Sequence, residues 1–250
     1  MIKNTSMKRA IIIIFAVIIT VQVKGQSSGI SITGGVGTYE LLDLKSYQDV
    51  LIERLPVDAM PFEYFPLYTN IRINLIKQHS PALKYGLIYG FSTTGAHANY
   101  SDYSGYLNLD QNLSAYQFGA TAGYRLLNID FFITQFELFA YGDIRLGYVR
   151  DHVTMNIATT YYYEYNTLKL TSVSPMAEVG LEAMFRIKKI SVGVEGGYLF
   201  DSGRNFKAGE ESQPFSSVSL RPPGDLRSGM SGFRGGLKFV LWFNPMVGLE

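Results

Sequence analysis

The histidines are the side chains of this sequence best suited to acid–base catalysis near neutral pH. His97 lies a few residues from Ser92, Ser101 and Asp102, so the sequence permits a nucleophile–base pair of the kind that hydrolases use. His152 is a second candidate. Such sites are defined by geometry and not by order along the chain, so the spacing does not require catalysis. We therefore expect the protein not to be an enzyme.

Oxygen-bearing side chains between positions 102 and 112 are the other group that could hold a ligand. Asp102, Asp110 and Asn112 offer the oxygen atoms that Ca²⁺ prefers, but they lack the regular Asp and Gly spacing of a calcium loop. The sequence has no cysteine, no P-loop, no HExxH motif and no GxSxG motif. We expect no metal and no cofactor.

Charged residues of both signs recur at every second position opposite apolar faces, seven of them basic and five acidic. If eight strands enclose them, the interior is only wide enough for side chains to fill, and unpaired buried charges cost several kcal/mol. This pattern predicts a closed lumen crossed by salt bridges. The alternative is the solvated outer face of a soluble barrel. The predicted lumen network comprises Arg72, Arg125, Glu137, Asp143, Arg145, Glu178, Glu182, Glu195, Arg234 and Lys238.

Eight segments with alternating apolar and polar residues would position these charges. The clearest covers residues 83–91, where Leu83, Tyr85, Leu87, Tyr89 and Phe91 share one face. With 25 glycines and 14% aromatic residues, the composition also favours β structure. We expect the apolar faces to contact lipid. The predicted lipid-facing set comprises Ile71, Ile73, Leu87, Phe118, Leu138, Val179, Val194 and Leu237.

The lengths of the connections separate a membrane barrel from a soluble sandwich. The long connections are residues 40–66, 96–113, 150–167 and 202–229, and the short ones are 78–82, 127–130 and 187–189. Transmembrane barrels have this asymmetry, together with aromatic residues near the strand ends. We predict an all-β fold: an eight-stranded antiparallel up-and-down transmembrane β-barrel with short periplasmic turns and long extracellular loops.

Residues 43–55 of the first long connection have helical periodicity. Leu44, Leu51 and Leu55 recur at helical spacing together with Tyr47 or Gln48, Asp43 is the expected N-cap, and a proline follows. A short helix in this loop could be a lid over the barrel mouth, or it could pack on the rim for stability.

The third long connection is rich in tyrosine. Strand propensity indicates that strands five and six continue beyond the membrane as a hairpin. Its exposed rings could form a binding surface, or they could lie at the lipid headgroups. The predicted surface comprises Tyr161, Tyr162, Tyr163 and Tyr165.

The first 25 residues have the three parts of a secretory signal peptide. Basic residues precede an apolar stretch from Ala10 to Val23, and small or modest residues then predict cleavage before Gln26. The stretch is shorter than the roughly 20 residues of a membrane-spanning helix, which argues against an uncleaved anchor. Because the leader holds four bases and no acid, its removal changes the formal charge from +1 to −3. No basic face for nucleic acid is implied, and residues 26–250 form the predicted barrel domain.

Short motifs at 34–40, 43–45, 65–66 and 92–95, together with the strand pattern, are similar to those of known barrels. The chain resembles the small OmpA/OmpX-like outer-membrane barrels and a family of uncharacterised Gram-negative outer-membrane β-barrel proteins. The resemblance implies an outer-membrane location but no catalytic residue. The implied partners are outer-membrane lipid and lipopolysaccharide, the barrel-assembly machinery and an unknown surface partner.

Three functions follow from this prediction. The first is a non-enzymatic barrel that is structural in the envelope or binds partners through its extracellular loops. The second is a narrow passage or binding site for small molecules, gated by the 43–55 helix. The third is a lipid-modifying enzyme of the outer leaflet that uses His97 or His152.

Overall fold

The computed structural model describes residues 27–53, 65–103, 105–209 and 226–243. The predicted leader and the cleavage point before Gln26 lie outside these residues. The elements are β1 (Ser27–Gly37), α1 (Leu42–Glu53), β2 (Tyr68–Gln78), β3 (Leu83–Asp102), β4 (Gly105–Phe131), β5 (Thr134–Thr159), β6 (Tyr163–Ile187), β7 (Ile190–Asp201), β8 (Lys207–Ala208) and β9 (Gly232–Trp242).

Eight antiparallel strands close into a ring. Each of β1 to β7 pairs with its sequence neighbour, and β9 pairs with both β7 and β1. The short strand β8 pairs with β6 beyond the end of β7, on the same edge of β6. Closure matters because an open sheet edge in hydrocarbon would leave backbone groups without hydrogen-bond partners. The predicted eight-stranded up-and-down barrel is confirmed.

The barrel is apolar outside and charged inside, the reverse of a soluble protein. All eight residues of the predicted lipid-facing set lie on the outer face, seven of them exposed and Leu138 half-buried. The lumen side instead buries side chains such as Arg145, Glu178 and Glu182. This distribution suits a barrel with hydrocarbon around it. Among the helical residues that are described, none belongs to a segment long and apolar enough to cross a membrane.

The outward residues of β3 to β6 change from apolar to polar between two adjacent rows of the sheet. The lower row, here called the girdle row, comprises Phe91, Tyr116, Tyr148 and Val173. The row above it comprises Thr93, Ser114, Arg150 and Thr171. Amphipathic rings favour the headgroup level of a bilayer, so the girdle row marks the extracellular boundary of the apolar band.

Two long connections predicted as loops are largely strand. Strand β3 continues to Asp102 and β4 begins at Gly105, and the β5–β6 hairpin turns at 160–162, so most of 96–113 and 150–167 extends the barrel wall above the girdle row. The expected continuation of strands five and six as a hairpin is confirmed. Strand structure persists because the inward side chains stay apolar, as Leu107, Leu109 and Val153 illustrate. These strands bury one face against a core and keep the other in water.

One predicted short turn is also wrong. Residues 127–130 belong to β4, and the turn to β5 occupies 132–133. The register shifts between Arg125 and Leu127, which indicates a β-bulge at this point. The bulge resets the alternation, so Leu127, Ile129 and Phe131 continue the exposed apolar face of the strand.

Helix α1 packs into the mouth of the raised wall. Leu44, Tyr47 and Gln48 are buried, and Leu44 belongs to one core with residues of β4, β5 and β6. The helix begins at Leu42, and the carbonyl of Leu41 accepts the first helical hydrogen bond, from Lys45. Asp43 is therefore in the first turn, where a carboxylate suits the helix dipole, and is not the predicted N-cap.

A buried charge in hydrocarbon provides a test of the inside–outside assignment. Leu237→Arg, in the apolar band of β9, should lower the free energy of unfolding by about 2–4 kcal/mol. Asn112→Arg, exposed on β4 above the girdle row, should change it by less than about 0.5 kcal/mol. Urea titration of the refolded barrel in lipid vesicles measures both, and equal effects would contradict the assignment.

Candidate functional site

His97 is not brought together with its predicted catalytic partners. Ser92 is buried on the inner face of β3, hydrogen-bonded to the Tyr39 hydroxyl at 2.6 Å, whereas His97 is exposed on the outer face. Ser101 is four residues along the same face, roughly 13 Å away at the rise of a strand. The carboxylate of Asp102 instead accepts hydrogen bonds from the Tyr100 hydroxyl and the Gly105 amide.

The imidazole of His97 has different neighbours. Its Nδ1 is hydrogen-bonded to the Asp110 carboxylate, and Asn99 donates to its Nε2 at 2.5 Å. A carboxylate at Nδ1 orients a histidine as it would a general base, but the predicted nucleophiles Ser92 and Ser101 do not lie beside this ring. His152 lies on the outer face of β5 between Asn112 and Lys169 of the neighbouring strands.

The residues considered for a metal are also separated. Asp110 bonds to His97, and Asp102 lies at the hairpin tip with the partners given above. Within the described parts of the chain, no group of three or more His, Cys, Asp or Glu side chains could hold a metal ion.

The centre of the lumen contains a cluster of arginines around Glu178. Its carboxylate pairs with Arg72 at 3.5 Å, with Arg145 at 2.7 Å and with Arg234. The hydroxyl of Tyr141 donates to the same carboxylate at 2.6 Å. All these side chains are almost fully buried, and Glu178 is an anionic partner common to three enclosed guanidinium groups.

Two more acids continue the network along the lumen. Asp143 pairs with Arg145, and Glu195 pairs with Arg72 and, at 3.2 Å, with Lys238.

Below them, Glu182 accepts from the amino groups of Lys84 at 2.6 Å and Lys238 at 2.7 Å. Lys84 also lies over the Phe139 ring, 3.7 Å from its centroid. Buried charges of this kind are tolerated because each has partners of opposite sign.

The remaining pair closes the periplasmic end. Arg125 bonds to Glu137 at 2.9 Å, and Arg186 lies over the Trp242 ring at 4.7 Å. Trp242 belongs to a small apolar cluster that also contains Met184. All ten residues of the predicted lumen network therefore lie on the inner wall, and each has an ion partner within 4.0 Å.

The lumen has little free space at the level of the charges. The cavity between Arg72, Glu182, Glu195 and Lys238 measures about 10 Å³, about the volume that one water requires. Only some of the glycines beside the network leave space for its side chains. A Cβ at Gly123 would lie 2.7 Å from Cε of Lys84, whereas one at Gly119, Gly193 or Gly236 would first meet backbone of the neighbouring strand.

Two glycines, on β6 and β7, make room for Tyr141. A Cβ on Gly180 would lie 2.6 Å from the Tyr141 hydroxyl, and one on Gly197 would lie 2.8 Å from it. Real Cβ atoms do not approach this closely. The absence of side chains at these two positions thus lets Tyr141 reach Glu178.

A chain of polar side chains above the girdle row was also missed. Gln48 of α1 donates to Gln111 of β4 at 2.8 Å, and Gln111 donates to Asp151 of β5 at 2.6 Å. Burial among apolar side chains raises the pKa of Asp151 to about 7. The sequence signal was available, since Asp151 interrupts the inward apolar positions Val149 and Val153.

Asp201 holds the last long connection against the wall. Its carboxylate accepts hydrogen bonds from the hydroxyls of Ser174 and Ser228, and from the backbone N–H groups of Gly203 (3.0 Å) and Met230 (2.9 Å). These bonds fix residues on both sides of the connection that follows β7.

The predicted tyrosine surface lies at the tip of the β5–β6 hairpin. Tyr161, Tyr163 and Tyr165 are exposed, and Tyr162 bonds to Glu164. In the sheet, Tyr163 aligns through Ala158 with Tyr106 of β4, which the prediction did not include.

Comparison with known proteins adds the following findings. No family model and no curated protein matches the chain. Solved structures that are similar include Ail of Yersinia pestis, at 11% identity and a TM-score of 0.37, covering 88% of this chain and 100% of Ail. A major outer membrane protein of Thermus thermophilus has 8% identity and a TM-score of 0.42, with coverage of 86% and 99%. The outer membrane protease OmpT of Escherichia coli has 11% identity and a TM-score of 0.38, with coverage of 90% and 100%.

The chain folds as a small eight-stranded β-barrel of the outer-membrane type. That statement rests on the closed ring and on the apolar exterior, and no function is transferred from structures this distant.

The raised pKa of Asp151 predicts a pH dependence. The folded protein keeps this proton up to about pH 7, whereas an exposed aspartate loses it near pH 3.9. The unfolded chain thus binds fewer protons between these values, so stability should fall as the pH rises from about 4 to about 7 and then stay level. Asp151→Asn keeps an oxygen for Gln111 and removes the ionisation. The variant should be more stable than the wild type at pH 8, by at most roughly 4 kcal/mol, and similar to it at pH 4.

Urea unfolding of both proteins at the two pH values measures this difference. Asp130→Asn, at an exposed position near the β4–β5 turn, is the control and should show no such pH-dependent gain. An equal effect of Asp151→Asn at pH 4 and pH 8 would show that ionisation of this group is not the cause.

Proposed function

We propose that the protein is a non-enzymatic, non-conducting barrel of the outer membrane that presents a binding surface above the membrane. The observation that carries the proposal is the filling of the lumen, in which the charges are paired with one another beneath a continuous apolar core. Because the lumen is filled, the side chains that a partner can reach lie on the outer face and at the hairpin tips. The apolar band beneath the girdle row supports a location in the outer membrane, where barrels of this type occur.

The tyrosine face supports surface binding. Tyr106, Tyr163 and Tyr165 share the outer side of two adjacent rows, and Tyr103 and Tyr161 are almost fully exposed at the two turns. Tyrosine provides a large contact area at low conformational-entropy cost, which is why it is enriched in interfaces. Stability alone does not require five exposed rings so far from the apolar band.

A gated passage is the less well supported alternative. Helix α1 occupies the extracellular mouth, but the salt bridges of Glu178 and Glu182 lie in the lumen independently of it. Movement of α1 alone would therefore uncover a charge-filled constriction and not an open channel.

Planar-bilayer recording tests whether the lumen conducts. The purified barrel should show no steady single-channel openings, because its charged side chains fill the narrow interior. Leu237→Ala, which alters only the outer face, should behave like the wild type. Steady openings that grow in Glu137→Ala or Glu182→Ala would overturn the closed lumen and make the small-molecule passage the leading function.

A second experiment tests the tyrosine face. Barrels in nanodiscs are applied to arrays of surface glycans and extracellular-matrix proteins, and binding is compared with the variant Tyr163→Ser/Tyr165→Ser. If these rings are the anchors of the interface, the affinity should fall at least about tenfold. Thr154→Ala, lower on the same outer face, is the control. Undiminished binding by the double variant would exclude this face.

A further inference from the structure

Basic residues gather on one side of the barrel immediately above the girdle row. Arg150 of β5, Thr171 of β6 and Lys207 of β8 lie side by side in the sheet. Arg150 also lies over the girdle residue Tyr148, 5.9 Å from the ring centroid. Strand neighbours are about 4.8 Å apart, so Arg150 and Lys207 are held roughly 10 Å from each other.

An open cleft of about 640 Å³ begins beside this group. We call it the basic cleft. Its lining includes Val173 at the membrane end and, farther out, the exposed side chains of Arg204, Lys207 and Arg227. The cleft starts just past Phe200, the last exposed apolar residue of β7. One end thus contains Val173 of the girdle row, and the other is cationic.

The backbone of the basic cleft is fixed by hydrogen bonds. The carbonyl of Arg204 accepts from the Ser172 hydroxyl at 2.9 Å and from the Ser228 amide at 3.2 Å. Asn205 and Arg227 form a β-bridge, and the buried residues Phe206 and Leu226 are joined by a 2.8 Å backbone bond. The cations therefore project from a preorganised frame, which lowers the entropic cost of binding a ligand.

No acidic side chain among the described residues lies within ion-pair distance of Arg204, Lys207 or Arg227. The carboxylate of Asp201 is occupied by the serines and amides already described. Asp43 accepts from the backbone N–H of Arg227, at 3.3 Å, and not from its guanidinium. The ten residues of the predicted lumen network all have ion partners, whereas these three cations have none among the described residues and leave positive charge available for an external anion.

We propose that the basic cleft binds the phosphate group of an outer-leaflet glycolipid of the lipid A type. Guanidinium groups make paired, charge-assisted hydrogen bonds to phosphate, and Lys207 adds a third positive charge. Val173 and the girdle row would contact the acyl chains next to that headgroup. The inference rests on the proposed function only in placing this end of the barrel at the outer surface of the outer membrane.

The position of the cleft favours a lipid over a soluble sulfated glycan. A glycan site needs positive charge facing water, but it does not need an apolar end that opens toward the membrane boundary. Basic pockets at the headgroup level of membrane proteins recognise lipid phosphates in this way.

Lipid binding by the purified full-length barrel in uncharged maltoside micelles tests the proposal. The probes are bisphosphorylated lipid A and its dephosphorylated form, and native mass spectrometry counts the retained lipid. The wild type should retain the phosphorylated lipid, with at least about tenfold lower affinity for the dephosphorylated form, as expected when charged hydrogen bonds are lost. The variant R204Q/K207Q/R227Q should lose a similar factor.

The control variant K77Q/K188Q/K189Q removes three positive charges at the periplasmic end and should bind like the wild type. The single variant K207Q, at an exposed position, should weaken binding severalfold. It tests the proposal even if the triple variant does not fold. Retention of heat-modifiable gel mobility shows that each barrel is folded.

Four results would overturn the proposal. These are unchanged lipid A binding by the triple variant, equal binding of the dephosphorylated lipid, equal displacement of the lipid by inorganic phosphate at matched concentration, and tighter binding of a heparin-derived hexasaccharide through the same residues. The last two would assign the cleft to free phosphate or to a sulfated glycan. Channel activity or loss of the tyrosine interface would affect only the proposed function, because neither measurement involves the basic cleft.

Discussion

The structure depends on one constraint: in hydrocarbon, every backbone N–H and C=O group must find a partner within the protein. Eight strands meet this requirement by closing β1 onto β9. Closure at eight strands also sets the width of the interior, which side chains then fill. Charged inner residues consequently need partners, and the arginines around Glu178 share its carboxylate and also pair with Asp143 or Glu195. Removing a partner from such a cluster typically costs about 3–5 kcal/mol, whereas forming it adds little stability over an apolar filling.

The polarity of the interior changes along the barrel axis because the surroundings of the outer face change from lipid to water. Within the apolar band the outer face meets lipid and the inner face is mainly polar, with a small apolar cluster near Trp242 and a few further apolar side chains such as Ile88 and Phe139. Above the girdle row the outer face meets water, and the inner face becomes an ordinary hydrophobic core that includes Leu113, Val153 and Leu44 of the helix. The same strands thus place apolar side chains outward in lipid below the girdle row and inward in a core above it. The protein combines a lipid-solvated lower half with an upper half that resembles a soluble β-sheet covering a helix.

The alternation of apolar and polar residues made most strands and their lipid-facing sides predictable. The strand at 83–91 and the lipid-facing position of Leu237 follow from period two alone. The pairing partners could not be predicted, because which inward residues meet across the lumen depends on the stagger accumulated around the whole ring. The bulge between Arg125 and Leu127 inserts one residue into the strand, and no residue type in the sequence marks its position. The upper β3 strand was missed because its inward residues are small: Ala96 and Ala98 do not produce a strong apolar pattern.

The contrast between inner and outer charges is the observation that links the fold to function. Inside, every cation of the predicted network has an acid within 4.0 Å, since solvation by water is not available there. Outside, Arg204, Lys207 and Arg227 line the open basic cleft, where water can solvate them and where we propose that a lipid phosphate binds. Like charges held close together on a rigid frame repel one another, and an anion between them removes that repulsion. None of these three cations has an ion-pair partner among the described residues, and the proposed lipid phosphate would supply the missing negative charge.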